Sequence, residues 1–144
     1  MILVDANLLL YAIHSGFPQH KRAKAWWEGV INGDASVGLS WGVLLAVVRL
    51  ATNGRLFPHP LSAEQAMAVV DGWLEQPMVH LVEPGPGHWP ILRLLLIQAG
   101  TAANLTRDAH LAALAIEHGY TLHSADHDFK RFVGLRHVDP LGPL

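Results

Sequence analysis

Strand and helix patterns alternate along the whole chain, and this alternation is the feature that most restricts its fold. Short apolar runs such as residues 1–4 and 36–40 have the length of buried strands, whereas His20–Ile31 repeats apolar residues at helical spacing. Such an alternation is typical of a parallel sheet covered by helices. We therefore predict an α/β fold with a central, mainly parallel sheet.

The remaining elements follow with short connections. Strands are predicted at residues 78–82, 120–124 and 135–139. Helices are predicted at residues 8–13 and 43–51, after Ser62, from the segment 84–90 to about Gln98, and at residues 108–118. Ser62 and Gln65 have the spacing of a capping box at the start of the third of these helices. The helix at residues 43–51 is apolar nearly all round, so we expect it to be buried. No repeat or linker interrupts the pattern, which predicts one domain over residues 1–144.

Composition limits the possible functions. The chain has no cysteine, which excludes disulfides, thiol catalysis and cysteine–zinc sites and suits a reducing cytoplasm. Its apolar runs are too short to span a bilayer and no secretory signal is evident, so we expect a cytoplasmic protein with no membrane partner. The net charge of -2 confines any nucleic-acid site to a local patch. The hydrophobic content of 51% suggests an oligomer or a standing complex.

Four of the seven aspartates fall where a predicted strand ends or a helix begins. Asp5 follows the first strand, Asp108 heads a helix, and Asp126 and Asp128 follow the strand at residues 120–124. Each has a local explanation too. Asp5 could cap the next helix, Asp108 or Thr106 could cap another, and Asp126 and Asp128 could form a turn.

The combination of these acids points to a shared site. The carboxyl ends of parallel strands meet at one edge of a sheet, and ligands bind at that edge. Several carboxylates gathered there repel one another unless a cation binds between them. A carboxylate set without thiols suits Mg²⁺ or Mn²⁺. We therefore predict metal-dependent phosphoester chemistry.

Three motifs carry a family resemblance. The opening "LVDANLLLYA", the segment "NLTRDAHLAALAIEHG" and the closing "LHSADHDFKRF" occur in order at the spacing found in the PIN-domain ribonucleases. Within that family the chain resembles the VapC toxins of bacterial type II toxin–antitoxin systems. The likeness runs over essentially the whole chain, and it implies a three-layer α/β/α PIN-like fold.

The resemblance also implies roles for individual residues. Asp5, Asp108 and Asp126 would bind the metal, and Asp128 would join them in catalysis. The supporting or RNA-contacting residues would be Asn7, Arg49, Arg107, Ser124, Lys130 and Arg131, although the basic ones could equally be solvated surface charges. The expected activity is endonucleolytic cleavage of a structured RNA, such as a tRNA or ribosomal RNA, with Mg²⁺ or Mn²⁺. The expected partners are a cognate VapB-like antitoxin and a second copy of the chain.

One position departs from the family pattern. The family usually carries a glutamate three residues before the arginine of "LSWGVLLAVVRLATN", and this chain has Ala46 before Arg49. An alternative function is therefore a catalytically weakened PIN fold that binds RNA or a partner. A phosphatase with an aspartyl nucleophile at Asp5 ranks lower, because Asn7 replaces the second acid that it needs.

Two further groups of residues have structural explanations. His123 and His127 are four residues apart, which could indicate zinc. They straddle a strand–turn junction and lack a third ligand, so we expect surface or half-buried side chains instead. Trp26, Trp27 and residues 43–48 are expected in the core or in an interface.

Overall fold

A five-stranded parallel sheet forms the centre of the molecule. The computed structural model describes residues 1–142. The strands are β1 (Ile2–Val4), β2 (Val37–Ser40), β3 (Val79–Val82), β4 (Thr121–His123) and β5 (His137–Val138). Their order in the sheet is β3-β2-β1-β4-β5, and all four pairings are parallel. The predicted α/β fold is confirmed, with β1 in the central position.

Six α-helices cover the sheet. They are α1 (Ala6–Ile13), α2 (His20–Ile31), α3 (Trp41–Ala51), α4 (Ala63–Leu74), α5 (His88–Ala99) and α6 (Thr106–His118). Two short 3₁₀ helices, Ala103–Leu105 and His127–Arg131, were not predicted. The predicted capping box of α4 is confirmed, since the Ser62 hydroxyl accepts from the backbone of Gln65 and the Gln65 side chain accepts from that of Ser62.

Two helices at the carboxyl edge of the sheet begin earlier than the apolar pattern indicated. α1 begins at Ala6 because Asp5 caps it, and α3 begins at Trp41 because the Ser40 hydroxyl accepts from the Val43 amide. A strand that passes directly into a capped helix leaves no loop between them. The polar side chain of each cap therefore lies at the carboxyl edge of the sheet.

The core surrounds the central strand. Leu3, Val4 and Leu8 are fully buried, and α6 contributes an unbroken buried run over residues 111–115. Burying one leucine stabilises a fold by about 1.5–3 kcal/mol. At Gly38 of β2, an added Cβ would lie 2.5 Å from Val82 Cγ2 of β3. Strands β2 and β3 are therefore closely packed against each other.

The expectation that the helix at residues 43–51 is buried is wrong for its outer face. Val43, Leu44 and Val47 are buried, but Leu45 is 63% exposed and Trp41 is 49% exposed. The reason is that α3 packs with one side on α1 and α4, and its other side lines an open cavity. Trp27 lies in the core, and Trp26 is partly buried against it. Within residues 1–142, no helix combines the length and apolar character needed to cross a membrane.

Candidate functional site

Asp5 links the central strand to the sheet edge. Its backbone N–H donates to the carbonyl of His123 on β4 at 3.0 Å, which fixes the residue between two strands. One carboxylate oxygen, Oδ1, accepts from the Ala6 amide at 2.7 Å, and the other, Oδ2, accepts from the Ser124 hydroxyl at 2.7 Å. Asp5 therefore caps α1 and at the same time faces the other predicted site residues. Burial raises the pKa of Asp5 above its ordinary value, and these hydrogen bonds oppose the rise.

Ser124 is the point where the two ends of the chain meet. Its side chain is fully buried, and besides donating to Asp5 it accepts from the Asn7 amide group at 3.3 Å and from the Asp126 backbone N–H at 3.0 Å. The Asn7 side-chain oxygen accepts from the Ala125 amide at 3.4 Å. Asn7 and Ser124 thus hold the loop after β4 against the start of α1. The structure places both near Asp5.

Asp108 does not cap α6, and the two capping interpretations of Asp108 and Thr106 are wrong. The helix begins at Thr106 with Leu105 as its N-cap residue, which makes no side-chain capping bond. Asp108 therefore lies inside the first turn, with its carboxylate toward the other acids. Burial is the largest cause that raises the pKa of Asp108 to about 6, and the carboxylates of Asp126, Asp5 and Asp128 add to it. Four acids from three separate segments thus influence one another electrostatically.

Asp126 keeps the local role that its turn position indicated. Its carboxylate oxygen Oδ1 accepts from the Asp128 amide at 2.9 Å and caps the 3₁₀ helix His127–Arg131. Asp128 is exposed at the start of that helix, and Lys130 and Arg131 are exposed further along it. Arg131 is near enough to oppose the rise in the pKa of Asp108. Turn formation and proximity to the acid cluster therefore coexist in this segment.

An open cavity of about 390 Å³ lies beside the acids. Its lining includes two acidic residues, Asp5 and Asp108, and two basic residues, Arg49 and Arg107. The full lining is Asp5, Ala6, Ser40, Gly42, Val43, Leu45, Ala46, Arg49, Arg107, Asp108, His110 and Leu111. Arg49 and Arg107 are thus brought to the acids, whereas Lys130, Asp126 and Asp128 lie outside the cavity lining. Ala46 lies on the wall where a longer acidic side chain would point toward the same space.

The acids do not form a closed metal cage. Within residues 1–142, no three Asp, Glu, His or Cys side chains lie close enough together to hold a metal ion between them. Asp5 and Asp126 direct carboxylate oxygens toward backbone amides in capping bonds. Mg²⁺ keeps several of its own waters and needs only one or two carboxylates. The donor set fits such a hydrated cation and does not fit a fully dehydrated one.

His123 and His127 contact different partners. The Nε2 atom of His127 lies 2.8 Å from an Asp139 carboxylate oxygen, whereas the ring of His123 stacks on Trp26 at 5.7 Å between centroids. His123 is half-buried and His127 is exposed, as expected.

Sequence reasoning did not identify His110 as a lining residue. His110 hydrogen-bonds to His88, and burial lowers the pKa of both rings below the ordinary value. Its position two residues after Asp108 was the only signal, and it does not reveal a partner 22 residues away in sequence.

Comparisons with known proteins agree on one family. The family model "PIN domain" matches residues 2–135. The ribonuclease VapC33 of Mycobacterium tuberculosis is 48% identical over 141 residues, which cover 98% of this chain and 99% of the relative.

Solved structures show the same fold. A VapBC2 structure from Rickettsia felis, bound to a DNA fragment from its promoter, aligns with a TM-score of 0.69 at 20% identity, covering 96% of this chain and 98% of the other. The Mycobacterium tuberculosis toxin VapC20, described as cleaving the sarcin–ricin loop, aligns with a TM-score of 0.68 at 22% identity. The alignment covers 94% of this chain and 99% of the other.

Proposed function

Because the chain belongs to the PIN-domain family, and within it to the VapC ribonuclease toxins of toxin–antitoxin systems, we propose that its acidic cavity cleaves RNA with a divalent cation. The observation that carries this proposal is the convergence of four aspartates from three segments beside two arginines. Burial and mutual repulsion raise the pKa of Asp108 to about 6, so the site favours binding of positive charge.

The proposed ligands of Mg²⁺ or Mn²⁺ are Asp5, Asp108 and Asp126, with Asp128 assisting. When bound, such a cation supplies positive charge that stabilises the transition state of phosphoryl transfer. Ser124 orients Asp5 by donating to its Oδ2 atom, and Asn7 holds Ser124 in turn. Asp5 is thus positioned by bonds between opposite ends of the chain.

The two arginines of the cavity lining are proposed to bind the RNA backbone. Arg49 and Arg107 line the same cavity as Asp5 and Asp108, so a phosphodiester bound by the guanidinium groups lies beside the acids. Lys130 is proposed to contact phosphates outside the cavity, because it is exposed on the 3₁₀ helix that Asp126 caps. We expect cleavage within a tRNA or ribosomal RNA that leaves 5′-phosphate and 3′-hydroxyl ends.

The proposed partners follow from the family. A toxin of this class is paired with an antitoxin, and solved neighbours of the fold are toxin–antitoxin complexes. We propose a VapB-like antitoxin, a homodimer of this chain, and action in the cytoplasm, where the RNA substrates are. The apolar side chains exposed on α5, Trp89, Leu94 and Ile97, are available for such contacts. Scattering mass in solution tests the dimer, and a strict monomer would contradict it.

One experiment tests the catalytic assignment. Purified protein is incubated with total RNA and Mg²⁺ or Mn²⁺, and the new RNA ends are mapped. We expect cleavage by the native chain, none in EDTA, and none after Asp5→Asn or Asp108→Asn. Asp71→Asn, at an exposed site on α4, is the matched control and should cleave normally. Undiminished cleavage by either site variant would refute the assignment.

A second candidate function is an RNA- or partner-binding module with weakened catalysis. Ala46 supports it, because this residue lines the cavity at the position where the family usually has glutamate. The Ala46→Glu variant distinguishes the two functions. If the native chain cleaves RNA and the variant changes the rate only modestly, the native chain is an enzyme. If cleavage appears only in the variant, the native chain is a binding module.

A further inference from the structure

Two histidines form a hydrogen-bonded pair at the cavity wall, outside the acid cluster. His88 Nε2 and His110 Nδ1 are 2.8 Å apart, and the rings meet edge to face at 77°. His88 is only 8% exposed, and its Nδ1 atom is buried without a hydrogen-bond partner among residues 1–142. His110 lines the cavity together with the arginines and acids. The pair therefore connects a buried ring to the space where substrate is proposed to bind.

The unpartnered atom of His88 indicates where the protons lie. If His110 Nδ1–H donated to His88, the His88 proton would be on Nδ1, a buried N–H group with no acceptor. If instead His88 Nε2–H donates to His110, the buried Nδ1 is a bare acceptor. Buried N–H groups without partners are rarer in proteins than buried acceptors without partners. The second arrangement is therefore favoured, and it leaves His110 with its proton on Nε2.

Glu117 fixes the His88 side of this pair. Its two carboxylate oxygens accept from the Gly85 and Gly87 amides at 2.9 Å and 2.8 Å. These bonds tie the loop before α5 to α6, the helix that also carries His110. The two rings are therefore held by one helix and by a loop anchored to that helix. An ordered donor in a binding site loses little entropy when the substrate arrives.

We propose that His110 is a further substrate-binding residue, whose Nε2–H donates to a phosphate oxygen of the RNA backbone, and that His88 is its positioning residue. This inference rests on the proposed ribonuclease function. A protonated Nε2 has no lone pair for a cation, so His110 belongs with Arg49 and Arg107 as a donor. An anionic oxygen is the acceptor that strengthens such a bond most.

RNA binding by matched variants tests the role of Nε2. Gln places an amide N–H near the Nε2 position of histidine, whereas Asn places its polar atoms near Nδ1. Fluorescence anisotropy of a labelled single-stranded RNA, measured in EDTA, gives affinity without cleavage. We expect His110→Asn to lose about 10-fold or more in affinity, the value of a hydrogen bond to a charged group. His110→Gln should retain most of the native affinity.

The same pair of substitutions at His88 tests positioning. His88→Gln keeps a donor toward His110 and should restore the affinity that His88→Asn loses. In cleavage assays, KM should rise with kcat nearly unchanged, because a backbone phosphate is bound equally in the ground and transition states. A general loss of folding would instead lower kcat with the fraction of active protein. Equal losses with the Gln and Asn variants would overturn the proposal.

Two further measurements test the assignment, and the first of them needs no variant. Nitrogen-15 NMR of the native protein should show an unprotonated Nδ1 on both rings, and the reverse tautomer would overturn the proposal. The loss of affinity caused by His110→Asn should be the same for a DNA oligonucleotide of the same sequence. A loss of affinity for RNA alone would show that His110 donates to the 2′-hydroxyl and would refute the phosphate contact. If native protein binds RNA but cleaves none with Mg²⁺ or Mn²⁺, the proposed function fails while the His110 assignment stands.

Discussion

Replacing Asp108 with asparagine should stabilise the metal-free protein at neutral pH, although it removes a proposed catalytic group. In the folded chain, burial and three neighbouring carboxylates raise the pKa of Asp108 from 3.8 to about 6. A carboxyl group whose pKa is higher in the folded state opposes folding once it ionises. This cost is absent below about pH 3.8, grows as the pH rises, and is complete above about pH 6. The asparagine side chain carries no charge, so the variant does not bear the cost.

The size of the effect follows from the same values. A pKa of about 6 in place of 3.8 corresponds to about 3 kcal/mol if none of the interaction is screened. Asp108 is only partly buried, and water screens charges at such sites strongly. We therefore expect a gain of about 1 kcal/mol at pH 7.5, or roughly 2–4 °C in melting temperature for a chain of this length.

Urea unfolding in EDTA measures this gain. The native chain and Asp108→Asn should differ by about 1 kcal/mol at pH 7.5 and by much less at pH 4. Asp71→Asn, an exposed acid on α4, controls for loss of net charge and should leave stability unchanged. Added Mg²⁺ should raise the stability of the native chain more than it raises the stability of the Asp108→Asn variant. Repulsion would be refuted as the cause if Asp108→Asn were no more stable than the native chain at pH 7.5. It would also be refuted if the variant gained as much stability at pH 4 as at pH 7.5.

Three other substitutions probe the site and its support. Ser124→Ala leaves the Oδ2 atom of Asp5 and the Asp126 backbone N–H without their partner and should cost about 1–3 kcal/mol in urea unfolding, together with a large loss of RNA cleavage; full cleavage would show that Asp5 needs no orientation. Ser62→Ala removes half of a capping box far from the cavity, so it should cost about 1 kcal/mol of stability while the rate of RNA cleavage stays native. Gly38→Ala forces β2 against Val82 and should lower stability by about 1–3 kcal/mol by thermal melting, and an unchanged melting temperature would contradict the close packing of the two strands.

The parallel sheet could be predicted because its signal is local and repeated. The predicted helix at His20–Ile31 matches α2 at both ends, since apolar periodicity is strong there and "NGD" follows it. The predicted starts of helices that directly follow a strand were less accurate. α1 and α3 begin directly after Asp5 and Ser40, and a cap without an intervening loop leaves no break in the apolar pattern.

Some properties of the site depend on contacts that sequence order does not reveal. The composition of α3 indicated burial, but the open side of Leu45 exists because only one side of the helix has neighbours. The capping interpretation of Asp108 failed because the 3₁₀ helix Ala103–Leu105 precedes α6 and moves its start to Thr106. The link between His88 and His110 likewise arises from the packing of α5 on α6.

The bond between Ser124 and Asp5 also determines when the site can exist. These residues are 119 positions apart, and β1 and β4, which bring them together, come from opposite ends of the chain. At about 5–20 residues per second, the ribosome needs roughly 6–24 s to make the intervening segment. During that time a nascent chain holds Asp5 without its orienting serine and without the two acids that follow the serine, Asp126 and Asp128. We therefore expect a nuclease built this way to leave the ribosome and messenger that produce it intact until its own synthesis is nearly finished.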